Sequence, residues 1–539
     1  HSYSAIAALF KCDTILLLYL SMPRRNNKCI AIAVTALVLI VLIAIITISV
    51  VMSGSSAATP DELSSPQPSP SSPNREPADQ KMSSANPIIN SVVQSKPPTS
   101  RPSVGGSLVK ESSQTESSIN GITDGDRSGY SVSLSSDAGT IAIGALYNNP
   151  NRTNSGYVRV FRRRSRGGED GEIHWDQIGN IIVTGVGIDS NSHDYNKDAD
   201  MFGWAVALAS EGTILAIGAP WHGTDRTGLV RVYRLNDEYS TWEQFGQDIT
   251  GEPCELFGWE FNCCGQFGWQ LSLSADGMTV AISSLYSDKP LQPQIPCRGN
   301  VEVYHMEEDG LWAKVGQTIN SDISTPNEGW TYFVDTPGWR SGWSIDLSAD
   351  GKILAVGARW DVPVTESGHV RIYQLQDIGG TSWEQLGQII NENATYGFSL
   401  GGDVSLSADG GTVAIGSNDD ESVMVFSWNN NESDWEPRGQ GIDFGGHSVS
   451  LSADASSLAI GEPWHGKPGS CAGQVSLYRW IDDDSCWKSG EVFVGEMPED
   501  EFGRSLSFSS DGNVVAAGAP GHDCNSGQVK IFTLNNDPI

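Results

Sequence analysis

Phe202-Gly-Trp-Ala-Val-Ala-Leu-Ala-Ser-Glu-Gly-Thr-Ile-Leu-Ala-Ile-Gly-Ala-Pro220, then Gly228-Leu-Val-Arg-Val-Tyr-Arg-Leu235, then Trp242-Glu-Gln-Phe-Gly-Gln-Asp-Ile249 is one copy of a unit that the chain writes seven times. Four short strands follow from it. In the first, apolar and small polar residues alternate, as they do in Val404-Ser-Leu-Ser407; the second is small and nearly all apolar, as in Leu458-Ala-Ile-Gly461, which suits a strand covered on both faces. Acid-Gly pairs at 211, 276, 350 and 511 supply the positive φ of a tight hairpin between them. Gly-x-Val-x-Val-Tyr is the third strand and Trp-x-x-x-Gly the fourth. The acid of the first turn recurs as Asp137, Glu211, Asp276, Asp350, Asp409, Asp454 and Asp511, at spacings of 74, 65, 74, 59, 45 and 57. Even the shortest holds the roughly 40 to 45 residues of a four-stranded propeller blade.

The seventh copy reaches its third strand at Gln528–Leu534 and has no fourth before Ile539. Upstream of the first copy, Ser118-Ile-Asn-Gly-Ile-Thr123 resembles the fourth-strand ends, such as Gln388-Ile-Ile-Asn391. The N-terminal segment is therefore expected to complete the last blade and leave no open sheet edge. The expected fold is all-β: a seven-bladed β-propeller of four-stranded antiparallel blades over 107–539. The composition agrees, since 59 Gly, 26 Pro and 17 Trp at only 39% hydrophobic residues suit turns and strands better than helix bundles. A balance of −32 repels polyphosphates, so no nucleic-acid partner is expected.

Ahead of the repeats lie two other regions. Ile30–Met52 is an uncharged apolar run of 23 residues, about 34 Å as a helix and enough to cross a bilayer. It reads as one transmembrane helix and membrane anchor. Arg24, Arg25 and Lys28 precede it and Asp61 and Glu62 follow, so residues 1–29 are expected in the cytoplasm and the C-terminal head outside, at the plasma membrane or another secretory-pathway membrane. Met22 is a candidate start, which leaves 1–21 uninterpreted, and cleavage near Ser55–Ala58 is the alternative to an anchor. Residues 53–106, Ser/Pro-rich and poor in large apolar side chains, read as a disordered stalk.

With Phe-Gly at 202, 267 and 502 and Gly-Ala-Pro at 218 and 518, in the same order along the copies, the chain resembles the FG-GAP propeller of integrin α subunits over about 129–534. The resemblance implies a propeller ectodomain that binds proteins or glycans and has no catalytic machinery. One departure is clear. Where integrin blades often carry an Asp-x-Asp-x-Asp-Gly calcium loop, this chain has Leu-Ser-Ala-Asp-Gly, and a lone carboxylate cannot furnish the 6 to 8 oxygens that calcium takes.

Candidate binding residues come from the loops between second and third strands, which share a face with the loops between blades. Two residues after the end of the second strand stand Tyr147, Trp221, Tyr286, Trp360 and Trp464; His222 and His465 follow two of them. Curling inward, these aromatics surround the axial opening and stack on a sugar or a partner loop; pointing between blades, they hold the ring together. The non-repeating loop 323–340 adds Trp330 and Trp339, as a binding lip or a local plug. Another such loop carries Asp194-x-Asn196-x-Asp198-x-Asp200, the alternating oxygens of a single Ca2+ site, without its sixth-position Gly or twelfth-position Glu.

Export is written into smaller features. Cys254, Cys263, Cys264, Cys297, Cys471, Cys486 and Cys524 form two sequence clusters, so disulfides are expected within 254–297 and within 471–524. Asn151, Asn393 and Asn431 begin glycosylation sequons in expected loops. Arg162-Arg-Arg-Ser-Arg166 reads as an exposed basic turn. No Gly-x-Ser-x-Gly, His-Glu-x-x-His or phosphate loop appears. The expected function is a cell-surface adhesion or ligand-binding protein with an extracellular protein or glycan ligand. The alternatives are a surface glycoside hydrolase, because Ser135-x-Asp137-x-Gly139-Thr140 and Ser407-x-Asp409-x-Gly411-Thr412 lie near the Asp-box turn of sialidase propellers, or a structural wall or matrix component.

Overall fold

The computed structural model describes residues 115–147, 155–165, 173–184, 200–223, 226–238, 240–252, 265–285, 299–320, 341–359, 368–376, 382–390, 400–417, 422–443, 445–466 and 471–534. The chain falls into two units, His1–Glu111 and Ser112–Ile539. Ile30–Met52 and the stalk lie outside the described residues, among which no helix is long and apolar enough to cross a membrane.

Seven antiparallel sheets make up the second unit, with their four strands in sequence order except in the last; in blades 2 and 3 a two-residue strand, Ile249–Thr250 and Ile319–Asn320, pairs with the third strand as well. Blade 2 is representative: Ala205–Leu208 pairs with Ile214–Ala219, which pairs with Leu229–Asn236, which pairs with Thr241–Gln244. The second strands Thr140–Ala145, Ile214–Ala219, Ile353–Ala358, Thr412–Ser417 and Val514–Ala519 are buried at every position, as their small apolar sequences require of a strand sandwiched between neighbouring blades.

The last blade is closed by the N-terminus. Thr115–Asn120 runs antiparallel to Gln528–Thr533, from Thr115 opposite Thr533 to Asn120 opposite Gln528. Ile119 is thereby buried in a core that joins Val529 and Ile531 to Val132 and Ile143 of blade 1. The ring also closes at the hairpins between first and second strands. The amide of Ser136 donates to Ser210 O, Ser210 to Ala275, Ala275 to Ala349, Ala349 to Ala408, Ala408 to Ala453, Ala453 to Ser510, and Ser510 back to Ser136, all at 2.8–3.0 Å. Seven backbone hydrogen bonds thus return to their starting residue, which only a complete ring of seven permits.

Those hairpins explain the repeated acid. Asp409 accepts from the Ser407 hydroxyl (2.6 Å) and the Gly411 N–H (2.9 Å), which hold its carboxyl below the usual range. The same Ser–Asp bond recurs at 135/137, 274/276, 348/350, 452/454 and 509/511. In these six turns the carboxylate is engaged by its own loop.

Outer strands lock blade 2 to 3, blade 3 to 4 and blade 5 to 6. The Gly of Trp-x-x-x-Gly takes a positive φ (+83° at Gly246), so the fourth strand breaks and Gln247 reaches the next blade. Gln247 accepts from Trp312 N and donates to Trp312 O, both at 2.8 Å, while the Trp312 indole donates to Phe245 O at 2.9 Å. Gln317 with Trp383 and Gln440 with Trp487 repeat the clamp. A Cβ on Gly246 would lie 2.6 Å from the Trp312 ring, which accounts for the glycine.

Two expectations are corrected here. Cys471 and Cys486 are free thiols, so no disulfide forms within 471–524. Cys471 precedes the strand Gln474–Ile481, and Cys486 pairs opposite Ile481 at its far end; the strand between them is about 20 Å long, whereas a disulfide needs Cα atoms within about 7 Å. Cys254, Cys263, Cys264 and Cys297 lie outside the described residues, and Cys524 sits in the turn His522–Asn525. The basic run at 162–166 is not a turn: Arg162, Arg163 and Arg164 belong to the strand Tyr157–Ser165.

Candidate functional site

At the start of an inner strand the chain arrives from the preceding blade through a Gly of positive φ, +97° at Gly203. A Cβ on Gly144 of blade 1 would meet the Gly203 carbonyl oxygen at 2.1 Å, so two backbones touch there and leave no room for side chains. In blades 1, 4 and 5 the register with the second strand slips across this point, between Ser128 and Ser131, Ser341 and Ser344, and Leu400 and Asp403. A bulge re-aims the residue that follows the Gly. In blade order that residue is Tyr130, Trp204, Trp269, Trp343, Gly402, His447 and Arg504.

Six of these seven positions carry a half-buried side chain, and the side chains touch one another around the axis. Ring centroids lie 5.4 Å apart for Trp343–Trp269, 4.6 Å for Trp269–Trp204 and 4.8 Å for Trp204–Tyr130. Arg504 continues the row, its guanidinium 4.7 Å above the Tyr130 ring and donating to the Tyr130 hydroxyl at 2.8 Å. Its other amino group contacts His447 Nε2, and His447 packs on Trp464 at 4.6 Å. At the opposite end Arg359 lies 4.9 Å from the Trp343 ring. Gly402 interrupts the circle between Trp343 and His447.

Burial, then the charges of Arg504 and Arg359, push the His447 imidazole down to about 2, so it is neutral at physiological pH and accepts from Arg504. Its Nδ1 is buried without a partner. Burial likewise raises Tyr130, which keeps its phenolic proton.

Deeper in the inner strands a side chain of every blade but blade 2, which has Ala207 there, accepts a backbone N–H from the next. Ser133 takes Leu208 N, Ser272 takes Leu347 N, Ser405 takes Leu451 N, Ser450 takes Phe508 N and Ser507 takes Leu134 N. In blade 4 Asp346 replaces the serine and takes Leu406 N at 2.7 Å; one layer up, Asp403 takes Val449 N at 2.8 Å. Desolvation raises Asp346 to about 6 and Asp403 to about 7.

Of the sequence-expected binding residues, Trp221 is brought to the axis, 4.6 Å from Trp204 and 5.8 Å from Trp269. Trp464 rests on His447 and remains 53% exposed. Tyr147 is half-buried, its amide bonded to Asp126 O, and joins no ring contact. Tyr286, Trp360, Trp330 and Trp339 lie outside the described residues, as do Asp194, Asn196, Asp198, Asn151 and Asn393. Asp200 is buried, accepts from Thr184 Oγ1 and pairs with His222 Nδ1, each at 3.2 Å. Asp500 and His522 make the same pair in the last blade, at 3.1 Å. Among the described residues no group of three or more His, Cys, Asp or Glu could hold a metal. Asn431 is exposed in the hairpin after Ser422–Asn429.

Sequence reasoning placed the aromatics in the second-to-third-strand loops and missed Tyr130, Trp204, Trp269, Trp343, His447 and Arg504. The signal was present in Phe-Gly-Trp at 202 and 267 and Gly-Trp at 342. A cleft of about 650 Å³ lies elsewhere, between Trp428, Trp480 and Arg438 on the third and fourth strands of blades 5 and 6. Its Arg438 stacks 4.6 Å from Trp480, and both tryptophans pack against the blade cores.

No protein-family model matches the chain, and no curated protein matches it by sequence. Among solved structures it is similar to a 6-phosphogluconolactonase-like protein of Bacteroides uniformis, at 11% identity and a TM-score of 0.44, over 70% of this chain and 88% of that one. It is similar too to the Myceliophteria thermophila Cps50 (Swd1) β-propeller domain, at 12% identity and a TM-score of 0.43, over 77% and 99%. The class of protein defined by the fold is a seven-bladed β-propeller.

Proposed function

We propose that the chain is a cell-surface adhesion or ligand-binding protein that presents an integrin-like propeller on a Ser/Pro stalk from a single membrane span, and that it binds an extracellular protein or glycan at the axial mouth. One observation carries this reading: Trp343, Trp269, Trp204 and Tyr130 form a continuous row of half-buried rings at the centre of one face. Half-buried aromatics placed together are the usual anchors of recognition. The Phe-Gly and Gly-Ala-Pro words support the FG-GAP assignment, and Ile30–Met52 with its basic flank supports the anchor.

The glycoside hydrolase alternative needs paired acids open to substrate. Asp346 and Asp403 are half-buried, and each accepts a backbone N–H of the neighbouring blade, a task that serines perform elsewhere in the ring at the position of Asp346. The test is an array of glycans and extracellular proteins probed with residues 107–539, which include the whole closed ring. Trp204→Ala with Trp269→Ala should lower retention at least tenfold, while the melting temperature reports whether the ring survives. Retention unchanged in the folded double variant places the site elsewhere. Protease added to intact cells should release the head; intact protein in the medium with a new N-terminus near Ser55 would mean the anchor is cleaved.

A further inference from the structure

Resting on the axial mouth as the binding site, we infer that its ligand is an acidic glycan, with a sugar carboxylate held by Arg504 and the neighbouring sugar rings stacked on Tyr130, Trp204 and Trp269. The chain has 65 acidic against 33 basic residues, so a guanidinium near its surface has many carboxylates to choose from. Arg127 pairs with Glu501 at 2.9 Å, Arg231 with Asp248 at 2.7 Å, Arg164 with Asp176 at 3.1 Å. Arg504 pairs with none among the described residues, as is true also of Arg159, Arg234 and Arg438, but it alone of these lies in the axial row.

Its partners are the Tyr130 hydroxyl, the Tyr130 ring and the neutral His447 imidazole. Asp403, which lies in the field of Arg504, is half-buried and accepts Val449 N. These neutral contacts hold the guanidinium in place and leave other N–H groups of its fork without a partner among the described residues, the geometry that matches a carboxylate. His447 lies in the field of both Arg504 and Arg359. The chain's net charge of −32 opposes a polyanion at long range, so the carboxylate is held by direct contact with Arg504.

The rest of the mouth is aromatic. Tyr130 touches both Arg504 and Trp204, so the cation and the row of rings are continuous. A ligand that satisfies both needs a carboxylate next to a flat apolar face. A uronate-type sugar offers that in each unit: a carboxylate on the ring and C–H groups on its faces. A neutral glycan leaves Arg504 without its anion, and an acidic peptide leaves the rings without a stacked partner.

The experiment titrates the full-length chain, by tryptophan fluorescence and calorimetry, with tetragalacturonate, with its methyl ester and with tetraglutamate. The ester keeps the rings and removes the charge. Tetragalacturonate should bind at least tenfold tighter than either of the others. Arg504→Gln should erase the difference between acid and ester, Arg504→Lys should restore part of it, and Trp269→Ala should weaken acid and ester alike. Equal binding of acid and ester by the wild-type chain overturns the acidic-glycan inference and leaves the aromatic site standing. Tetraglutamate binding as tightly as the sugar acid overturns the glycan assignment. Binding of none of the three overturns the inference, whereas the binding-site reading fails only if the folded Trp204→Ala, Trp269→Ala variant keeps its array ligands. A folding defect in Arg504→Gln leaves the acid-against-ester comparison on the wild-type chain as the deciding result.

Discussion

Ring closure by the N-terminal strand makes a demand that two isoleucines three residues apart can test. Ile119 lies opposite Val529 and is 6% exposed, packed with Val132, Leu134 and Ile531; Ile122, just past the strand, is 51% exposed. Ile119→Ala removes a buried side chain from a core shared by the first and last blades and leaves a cavity that backbone pairing on both sides prevents from collapsing. The cost should be about 3 kcal/mol. Ile122→Ala, on a side chain that is mostly in water, should stay within about 0.5 kcal/mol. Urea unfolding of residues 107–539, followed by tryptophan fluorescence, separates these values, with deletion of 53–100 as the control that should change nothing. A larger loss at Ile122 than at Ile119 would mean that the closing strand is slipped by an odd number of residues, because a one-residue slip exchanges the two faces. Equal, small losses would mean that the N-terminal strand does not close the ring, and the reasoning would fail.

Two further predictions concern the seams between blades. Gln317→Ala removes both part-buried hydrogen bonds to the Trp383 backbone, so it should cost about 1 kcal/mol in the same unfolding assay; Gln385→Ala, on the exposed face, should cost less. Asp403→Ser places at 403 the residue that blades 1, 4, 6 and 7 have at the matching position, Ser131, Ser344, Ser448 and Ser505. Because burial raises Asp403 to about 7 in the folded chain, the native state holds more protons than the unfolded one above pH about 4, and stability falls as pH rises through 7. The variant should therefore melt above the wild type at pH 8, and the gain should shrink towards pH 4.5, as thermal melts at the two values would show. His447 has the opposite sign: held down to about 2, it makes stability rise with pH up to the unfolded imidazole's titration, and it does so in both proteins.

The blades and the order of their strands were legible because each second strand, such as Ile353–Ala358, is covered on both faces, and that demand leaves a small apolar signature in every copy. Closure was legible from a strand missing at one end and present at the other. The mouth was marked only by the Gly-Trp pairs at 203, 268 and 342 and not by alternation, which assigns a residue to one of two faces, whereas the slips at Ser128/Ser131 and Ser341/Ser344 turn Tyr130 and Trp343 towards the axis by breaking that alternation. The Gln–Trp clamps escaped notice for a related reason: Gly246 breaks the fourth strand, and a glutamine beyond the break pairs with a different blade. Cysteine spacing misled at 471 and 486, since fifteen residues of sequence there include a strand that carries the second thiol to the far end of the blade. Trp221 was found, but for a loop position, when its neighbours on the axis are the residues after the Gly of blades 2 and 3.

The claim that the axial mouth is where this propeller meets its ligand is tested most directly by hydroxyl-radical footprinting of the head, with and without a ligand retained on the array. Oxidation of Trp204, Trp269 and Trp343 and of Tyr130 should drop several-fold on binding, while Trp428 and Trp480, in the cleft between blades 5 and 6, should react as before. Protection of Trp428 and Trp480 with the axial rings unchanged would contradict the account.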